Sequence, residues 1–378
     1  MRAGAIQAME RPLEAHNFSG GPGALPAAML ETAREALMEA PGQHLSVLGI
    51  SHRSDWFREV LDEAEGHIRA LLELPDEYHV LLLQGGSTLQ FSMVPLALLH
   101  GPPHPAQYLH TGYWSGKAIA EARRIGPVEV VWSGEVEGFR RLPAQERLPL
   151  DAQAAYFHYV SNETVEGLQF PDVPGREDVL RVADMSSDFL SQALDARRFC
   201  LIYAHAQKNL GPSGVVVVIV REDVLARAPD GLPSMLDYRP HAAARSIYNT
   251  PPVFAIYVTM LVLRWLREEI GGLEAMEGIN RAKAAMLYAA IDESGGFYRG
   301  RAAVEARSRM NVVFGLASSA LEACFLEEAR GEGLFGLEGH RTIGGLRASL
   351  YNAVTLDSVE VLCDFMRDFR SRHGRDGA

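Results

Sequence analysis

An α/β fold, with a mostly parallel sheet covered by helices on both faces, is what this 378-residue sequence predicts, and three observations predict it. Strand-like and helix-like segments alternate from about Pro26 to Arg267, the pattern of parallel strands joined by helical crossovers. Several strand-like runs are apolar without interruption, VVVVIV at Val215–Val220 above all, as strands buried on both faces are. Beyond Gly271 the alternation gives way to a smaller α+β unit. The expected division is an N-terminal segment over 1–25, a large domain over 26–270 and a small C-terminal domain over 271–378.

The elements follow in order. Leu25–Ala40 is helical, with Pro26 suited to a first turn. Asp55–Leu74 is a long amphipathic helix opened by Ser54 or Asp55 as a cap. Tyr78–Gln84 is a strand and Leu89–Leu99 a helix, and AQYLHTGYWSGKAIAEARRIG gives a strand and then a helix. VEVVW, AAYFHYV, VLRVAD, CLIYA and VVVVIV are further strands, and PPVFAIYVTMLVLRWLREEIGG is a helix. In the second unit, Met276–Ser294 and Ser318–Glu332 read as helices, and MNVVFGL and GLRASLYN as strand-like.

A 47% hydrophobic, 22% charged composition supplies an ample core, and a net charge of −12 argues against a general nucleic-acid surface. Cys200, Cys324 and Cys363 are too scattered for a disulfide framework and point to a reducing compartment. The start has no apolar run of the kind a secretory signal needs, and its first fifteen or so residues are expected to lie loose. VFAIYVTMLVL is interrupted by Thr259, stopped by Arg264 and too short for a bilayer. A soluble cytoplasmic protein is expected.

In such sheets ligands collect at the carboxyl ends of the strands, and the candidate residues lie there. LLLQGGSTLQF carries Gly85-Gly86-Ser87-Thr88 between strand and helix, where free amides and hydroxyls favour a phosphate; a tight turn with a Ser or Thr cap is the other reading. Trp114 follows a strand, able to stack on a planar ring or simply to pack. Asp184 ends a strand and suits either a protonated heterocyclic nitrogen or a local cap. Lys208 sits between CLIYA and VVVVIV on what reads as a constrained loop before Gly211-Pro212-Ser213-Gly214. It is either a solvated turn lysine or a desolvated amine able to attack a carbonyl. The pairs His52-Arg53 and His340-Arg341, with Arg347, offer recognition of carboxylate or phosphate, or are solvated basic turns. No His/Cys/Asp cluster has metal-ligand spacing, so no metal is expected.

NFSGGPGALP, SHRS, GGSTLQF, GYW, NETVEG, AQKNLGPSG, YNTPP and GHRTIGGLRASLYNA occur in this order. From about Asn17 to the C-terminus the sequence resembles the phosphoserine aminotransferases, class V members of the fold-type-I pyridoxal-phosphate enzymes. The resemblance implies a seven-stranded sheet in the large domain, the segment 1–25 against the small domain, and a homodimer with two shared sites. It implies pyridoxal 5'-phosphate as cofactor, with Lys208 as internal aldimine and general base, Asp184 on the pyridine nitrogen and Trp114 stacked on the ring. Ser87, Thr88, Thr164 and Gln207 would hold the cofactor, and Asn249 and Thr250 would reach its phosphate from the partner chain. Arg347 would bind the substrate α-carboxylate; His52, Arg53, His340 and Arg341 would receive a substrate phosphate or the side-chain carboxylate of glutamate. The implied reaction is ping-pong transamination of 3-phosphohydroxypyruvate with glutamate, in serine biosynthesis, with a 4-phosphorylated oxo acid of pyridoxine biosynthesis as a second substrate. Three positions depart from the pattern: Thr88 stands where some members carry Arg, His205 where glycine is frequent, and Gly23 where alanine is usual. Two rivals differ in kind: a cysteine desulfurase on the same fold, for which no cysteine reads as a mobile reactive thiol, and a non-catalytic phosphate- or nucleotide-binding module, which would carry no chromophore.

Overall fold

A computed structural model of the chain describes residues 15–100, 104–144 and 148–374. The expectation of a loose start therefore concerns residues that, apart from Ala15, lie outside the described ones. The central sheet has seven strands, in the spatial order Tyr78–Leu83, Val216–Arg221, Leu201–His205, Arg181–Asp184, Phe157–Val160, Ala106–His110, Val128–Ser133. All neighbours run parallel except Val216–Arg221, which is antiparallel to both strands beside it.

The apolar runs are explained by two cores. Leu82, Ile202, Ala204, Val217 and Ile219 face one layer, packed with Phe57, Ile68, Ile256 and Val258 from the helices Asp55–Leu72 and Val253–Arg264. Leu81, Leu83, Tyr203, Val216, Val218 and Val220 face the other, with Phe91, Val94 and Ile119 from the helices Gly86–Leu98 and Tyr113–Ala122. Alternate residues point to opposite faces, so a strand covered on both sides has no polar face.

A third core joins the helices Leu273–Asp292, Ser319–Gly331 and Leu356–His373 to a three-stranded antiparallel sheet of Arg299–Gly300, Asn311–Gly315 and Leu346–Ser349. Phe18 belongs to this core, and His16–Asn17 pairs in parallel with Leu334–Phe335. A polar seam crosses from the helix Leu273–Asp292 to the central sheet. Asn280 Nδ2 donates to Asn352 Oδ1 at 2.9 Å, and Asn352 N donates to Asn209 Oδ1, beside Lys208, at 2.8 Å. The buried Lys283 ammonium donates to three carbonyls, of Leu350, Tyr351 and Val354, at 2.8–3.0 Å, and so fixes the turn that carries Asn352.

Two local expectations are corrected. The helix expected from Leu89 begins at Gly86, because Gly85 and Gly86 take positive φ (87° and 62°) and complete the turn within two residues. Lys208 stands on a helical turn, Ala206–Asn209, rather than a loop. Cys324, which sequence analysis did not single out as a mobile thiol, lies in the helix Ser319–Gly331 and is only partly buried. Among the described residues no helix is long and apolar enough to cross a membrane.

Candidate active site

Gly85-Gly86, Trp114, Thr164, Asp184 and Lys208 each follow or end a strand at the carboxyl side of the parallel sheet. Asp184 and Lys208 come together because Arg181–Asp184 and Leu201–His205 are hydrogen-bonded neighbours. Lys208 is 8% exposed. Its Nζ donates to Thr164 Oγ1 at 2.6 Å and lies 5.2 Å from the centre of the Trp114 ring. Burial, partly offset by the Asp184 carboxylate, pushes its amine down to about 8. A buried lysine with a depressed amine is not the solvated turn lysine of the other reading, and its neutral fraction is able to attack a carbonyl.

Asp184 is buried. Burial raises its carboxyl above the usual range, while the Lys208 charge and hydrogen bonds from Ser186 pull it back. Ser186 N donates to Asp184 Oδ1 at 2.9 Å and Ser186 Oγ to the same oxygen at 2.5 Å, so the local-cap reading describes part of its role. Ser87 Oγ is 2.7 Å from Ser186 Oγ, which links the Gly85-Gly86 turn to Asp184. Thr88 is exposed in the first helical turn, and Gln207 is half-buried beside Gly21. His205 lays its ring against Gly86, where an added β-carbon would meet its Cε1 at 3.0 Å; burial pushes the imidazole down to about 4.

From the C-terminal unit, Arg347 Nη1 donates to the Thr164 carbonyl at 3.4 Å. His340 packs on Tyr113 with ring centroids 4.9 Å apart and bonds Thr342 Oγ1 through Nδ1 at 2.7 Å. Arg341 is exposed, yet its charge and those of Arg347 and Lys208 depress the His340 imidazole along with burial. His52 and Arg53 are not brought to this cluster: half-buried His52 and exposed Arg53 stand in a turn before the helix Asp55–Leu72. Asn249 and Thr250 lie beside the glycine turn of their own chain, Asn249 Nδ2 donating to Gln84 Oε1 at 2.7 Å and Gln84 Nε2 to the Thr250 carbonyl at 3.3 Å. Thr250 does not cap the following helix, whose N-cap is Pro252.

The structure adds residues to which sequence reasoning gave no role in the site. Gly20 and Gly23 wrap the cluster: a β-carbon on Gly23 would stand 2.6 Å from both the Lys208 carbonyl oxygen and Tyr351 Cδ2. The glycine-dense SGGPG was the available signal for such close approach. Glu163 and Glu166 hold the Trp114 helix by its first amides. Glu163 accepts from Trp114 N (3.1 Å) and Ser115 N (3.0 Å), and Glu166 from Tyr113 N (3.0 Å). Both are buried, and burial with the neighbouring Glu163 charge pushes Glu166 up to about 8. NETVEG contains both, but no local pattern shows this role, because their partners lie 48 to 53 positions away.

A planar cofactor bearing an aldehyde, a ring nitrogen and a phosphate fits these residues. Among the described residues Trp114 Nε1 and Arg347 Nε are buried without hydrogen-bond partners, the Lys208 amine lies over the Trp114 ring and feels the Asp184 carboxylate, and a helix N-terminus with two positive-φ glycines stands alongside.

Residues 15–362 match the family described as Aminotransferase class-V. The chain is 48% identical over 365 residues to the phosphoserine aminotransferase of Shouchella clausii, covering 97% of this chain and 99% of that one. It is similar to the solved phosphoserine aminotransferase from Bacillus circulans subsp. alkalophilus, with a TM-score of 0.91 and 48% identity over 95% of this chain and 99% of that one. A further similar structure, at TM-score 0.91 and 42% identity over 95% of this chain and 99% of the other, describes radiation damage of the Schiff base in a phosphoserine aminotransferase.

Proposed function

The chain belongs to the class-V aminotransferases and, among them, to the phosphoserine aminotransferases, and from that premise we propose that it transfers the amino group of glutamate to 3-phosphohydroxypyruvate with pyridoxal 5'-phosphate. The observation that carries this reading is the buried Lys208 amine, held by Thr164 between Trp114 and Asp184. The cofactor supplies an aldehyde that takes the amino group and a protonated ring that accepts the electron pair left at the substrate carbon.

The chain's residues do the rest. Lys208 is the attachment point and, once released, carries the proton to and from the substrate Cα. Asp184 keeps the ring nitrogen protonated, and Trp114 packs on the ring face. Ser87, Thr88, Thr164 and Gln207 hold the cofactor. Arg347, whose Nε has no hydrogen-bond partner among the described residues, binds the α-carboxylate common to all amino-acid substrates. His340 and Arg341, with His52 and Arg53, receive the phosphate or the glutamate side chain. A 4-phosphorylated oxo acid offers these side chains the same two anions, and it is proposed as a second acceptor.

The reading includes a cytoplasmic homodimer with shared sites. Its support is a run of exposed apolar side chains, Leu30, Met38, Leu45 and Leu48, leading to His52-Arg53, with Tyr248 exposed beside Asn249; such patches mark contact surfaces. A second copy seated there brings the partner's His52, Arg53, Asn249 and Thr250 to the cluster. The division at 271 is proposed in the same spirit, from the separate third core. The test is a coupled assay of purified protein with glutamate and 3-phosphohydroxypyruvate. Formation of 2-oxoglutarate and phosphoserine is expected; transamination of non-phosphorylated oxo acids alone would overturn the proposed substrate.

A further inference from the structure

Cys324, Glu328 and His373 meet on the face of the C-terminal unit, on the helices Ser319–Gly331 and Leu356–His373. Cys324 and Glu328 are spaced i,i+4 and share a helix face; His373 lies 45 positions further on, so no spacing rule shows the group in the sequence. Cys324 Sγ is 3.3 Å from Glu328 Oε1, His373 Nε2 is 2.9 Å from that same oxygen, and the three candidate ligand atoms all lie within 4.8 Å of one another. Arg372 binds the other carboxylate oxygen and leaves Oε1 toward the cysteine and histidine. The His373 ring packs on Phe369 with centroids 4.3 Å apart. Arg372 and Phe369 thus hold the oxygen and the nitrogen, and the sulfur meets them at the same oxygen.

We propose that these three side chains form a site for a zinc-class divalent cation. Thiolate, imidazole and carboxylate together suit zinc better than hard cations. Tetrahedral zinc places its ligand atoms about 3.3–3.6 Å apart, given its usual bond lengths. The oxygen already stands near that distance from both other atoms, and only sulfur and nitrogen must close. A cavity of about 980 Å³, lined by Cys324, His373, Phe297, Ser318 and Arg370, reaches the site and leaves a fourth position for water. Binding displaces the thiol proton: the neutral Cys324 thiol and Zn²⁺ give the zinc thiolate and H⁺, with no redox change. The bound ion ties one helix to the end of the other, away from the Lys208 cluster.

The test uses untagged holoenzyme stripped with a chelator and then titrated with Zn²⁺ and, separately, Co²⁺. One zinc per chain is expected, with a rise in Tm of a few degrees and the visible bands of tetrahedral Co²⁺ at wavelengths beyond those of the cofactor. Cys324→Ser and His373→Ala, both at partly exposed positions, should each weaken binding at least tenfold while keeping the transaminase activity. Absence of binding at 100-fold excess of zinc over protein would overturn the site. So would binding of equal strength in both variants, which would put the metal elsewhere.

Discussion

A β-carbon added to Gly20 would stand 2.2 Å from Arg347 Nη2, so the N-terminal segment and the guanidinium proposed to bind the substrate carboxylate occupy touching volumes. The clashing atoms are the far end of a flexible side chain. Gly20→Ala should therefore move Arg347 more than it destabilises the fold. The expected outcome is a ten- to hundredfold loss of kcat/KM, about 1.4–2.7 kcal/mol, with Tm nearly unchanged. Arg347→Ala should cost about 2–5 kcal/mol in kcat/KM for every amino-acid substrate. Arg341→Ala should impair phosphoserine and glutamate and spare alanine. Equal losses for alanine and phosphoserine in the Arg341 variant would refute its assignment to the second anion.

Lys208 gives a pH dependence with a definite sign. Its amine is pushed down to about 8, so the neutral, attacking form is scarce below that pH and dominant above it. Cofactor capture by apoenzyme, followed by visible absorbance, should quicken about tenfold per pH unit below 8 and level off above. Borohydride should fix the cofactor to the peptide containing Lys208. Lys208→Ala should lose the visible band and transamination while remaining folded; labelling at another lysine would refute the assignment.

Glu166 makes a stability prediction. Burial and the Glu163 charge push its folded carboxyl above the ordinary value of 4.5, up to about 8, so the folded protein should bind an extra proton above the ordinary value. Its favourable contribution is complete below the unfolded value and is lost as pH rises through the folded one. Glu166→Gln, always neutral, should match the wild type near pH 4 and exceed it by on the order of 2–4 kcal/mol near pH 8. Paired denaturant titrations at the two pH values measure this; a difference that does not grow with pH would show that Glu166 is ionised in the fold.

The shared-site proposal is tested by mixing variants. Lys208→Ala lacks its own chemistry, and Asn249→Ala/Thr250→Ala fails its neighbour. A mixed dimer should regain one complete site at limiting cofactor. Hybrids verified by mass spectrometry but no more active than the mean of their parents would assign the Asn249–Thr250 pair to its own chain, where it already touches Gln84.

Particular residues show how far the sequence could be read. Asp184 and Lys208 were legible as a pair because they end consecutive strand signals, and consecutive parallel strands are often neighbours; the register brings Asp184 opposite Tyr203 on the strand leading to the lysine turn. The Gly85-Gly86 turn was legible from glycine's access to positive φ. The start of its helix was not, since propensity places a boundary after glycines rather than at them. Glu163 and Glu166 were illegible because a carboxylate capping a distant helix leaves no local pattern. His52 and Arg53 were legible as anion-binding residue types, but within the chain they stand in a turn away from the Lys208 cluster, and only the proposed second copy would bring them to it.

The pairing of His16–Asn17 with Leu334–Phe335 bears on how the protein is made. Domains emerging from a ribosome fold from the N-terminus onward, yet here the first described strand waits for one of the last. Tyr351, 331 positions later, closes on the Gly20 carbonyl, and Gly23 N binds the carbonyl of Gln207 beside the lysine. The large sheet can assemble while synthesis continues, but until the C-terminal unit leaves the exit tunnel the loop that walls the lysine pocket has its contact with Gln207 and lacks those with Leu334–Phe335 and Tyr351. A nascent chain halted before residue 334 should therefore leave its lysine turn more open to solvent, and the proposed cofactor should be taken up firmly only after the C-terminal unit is complete.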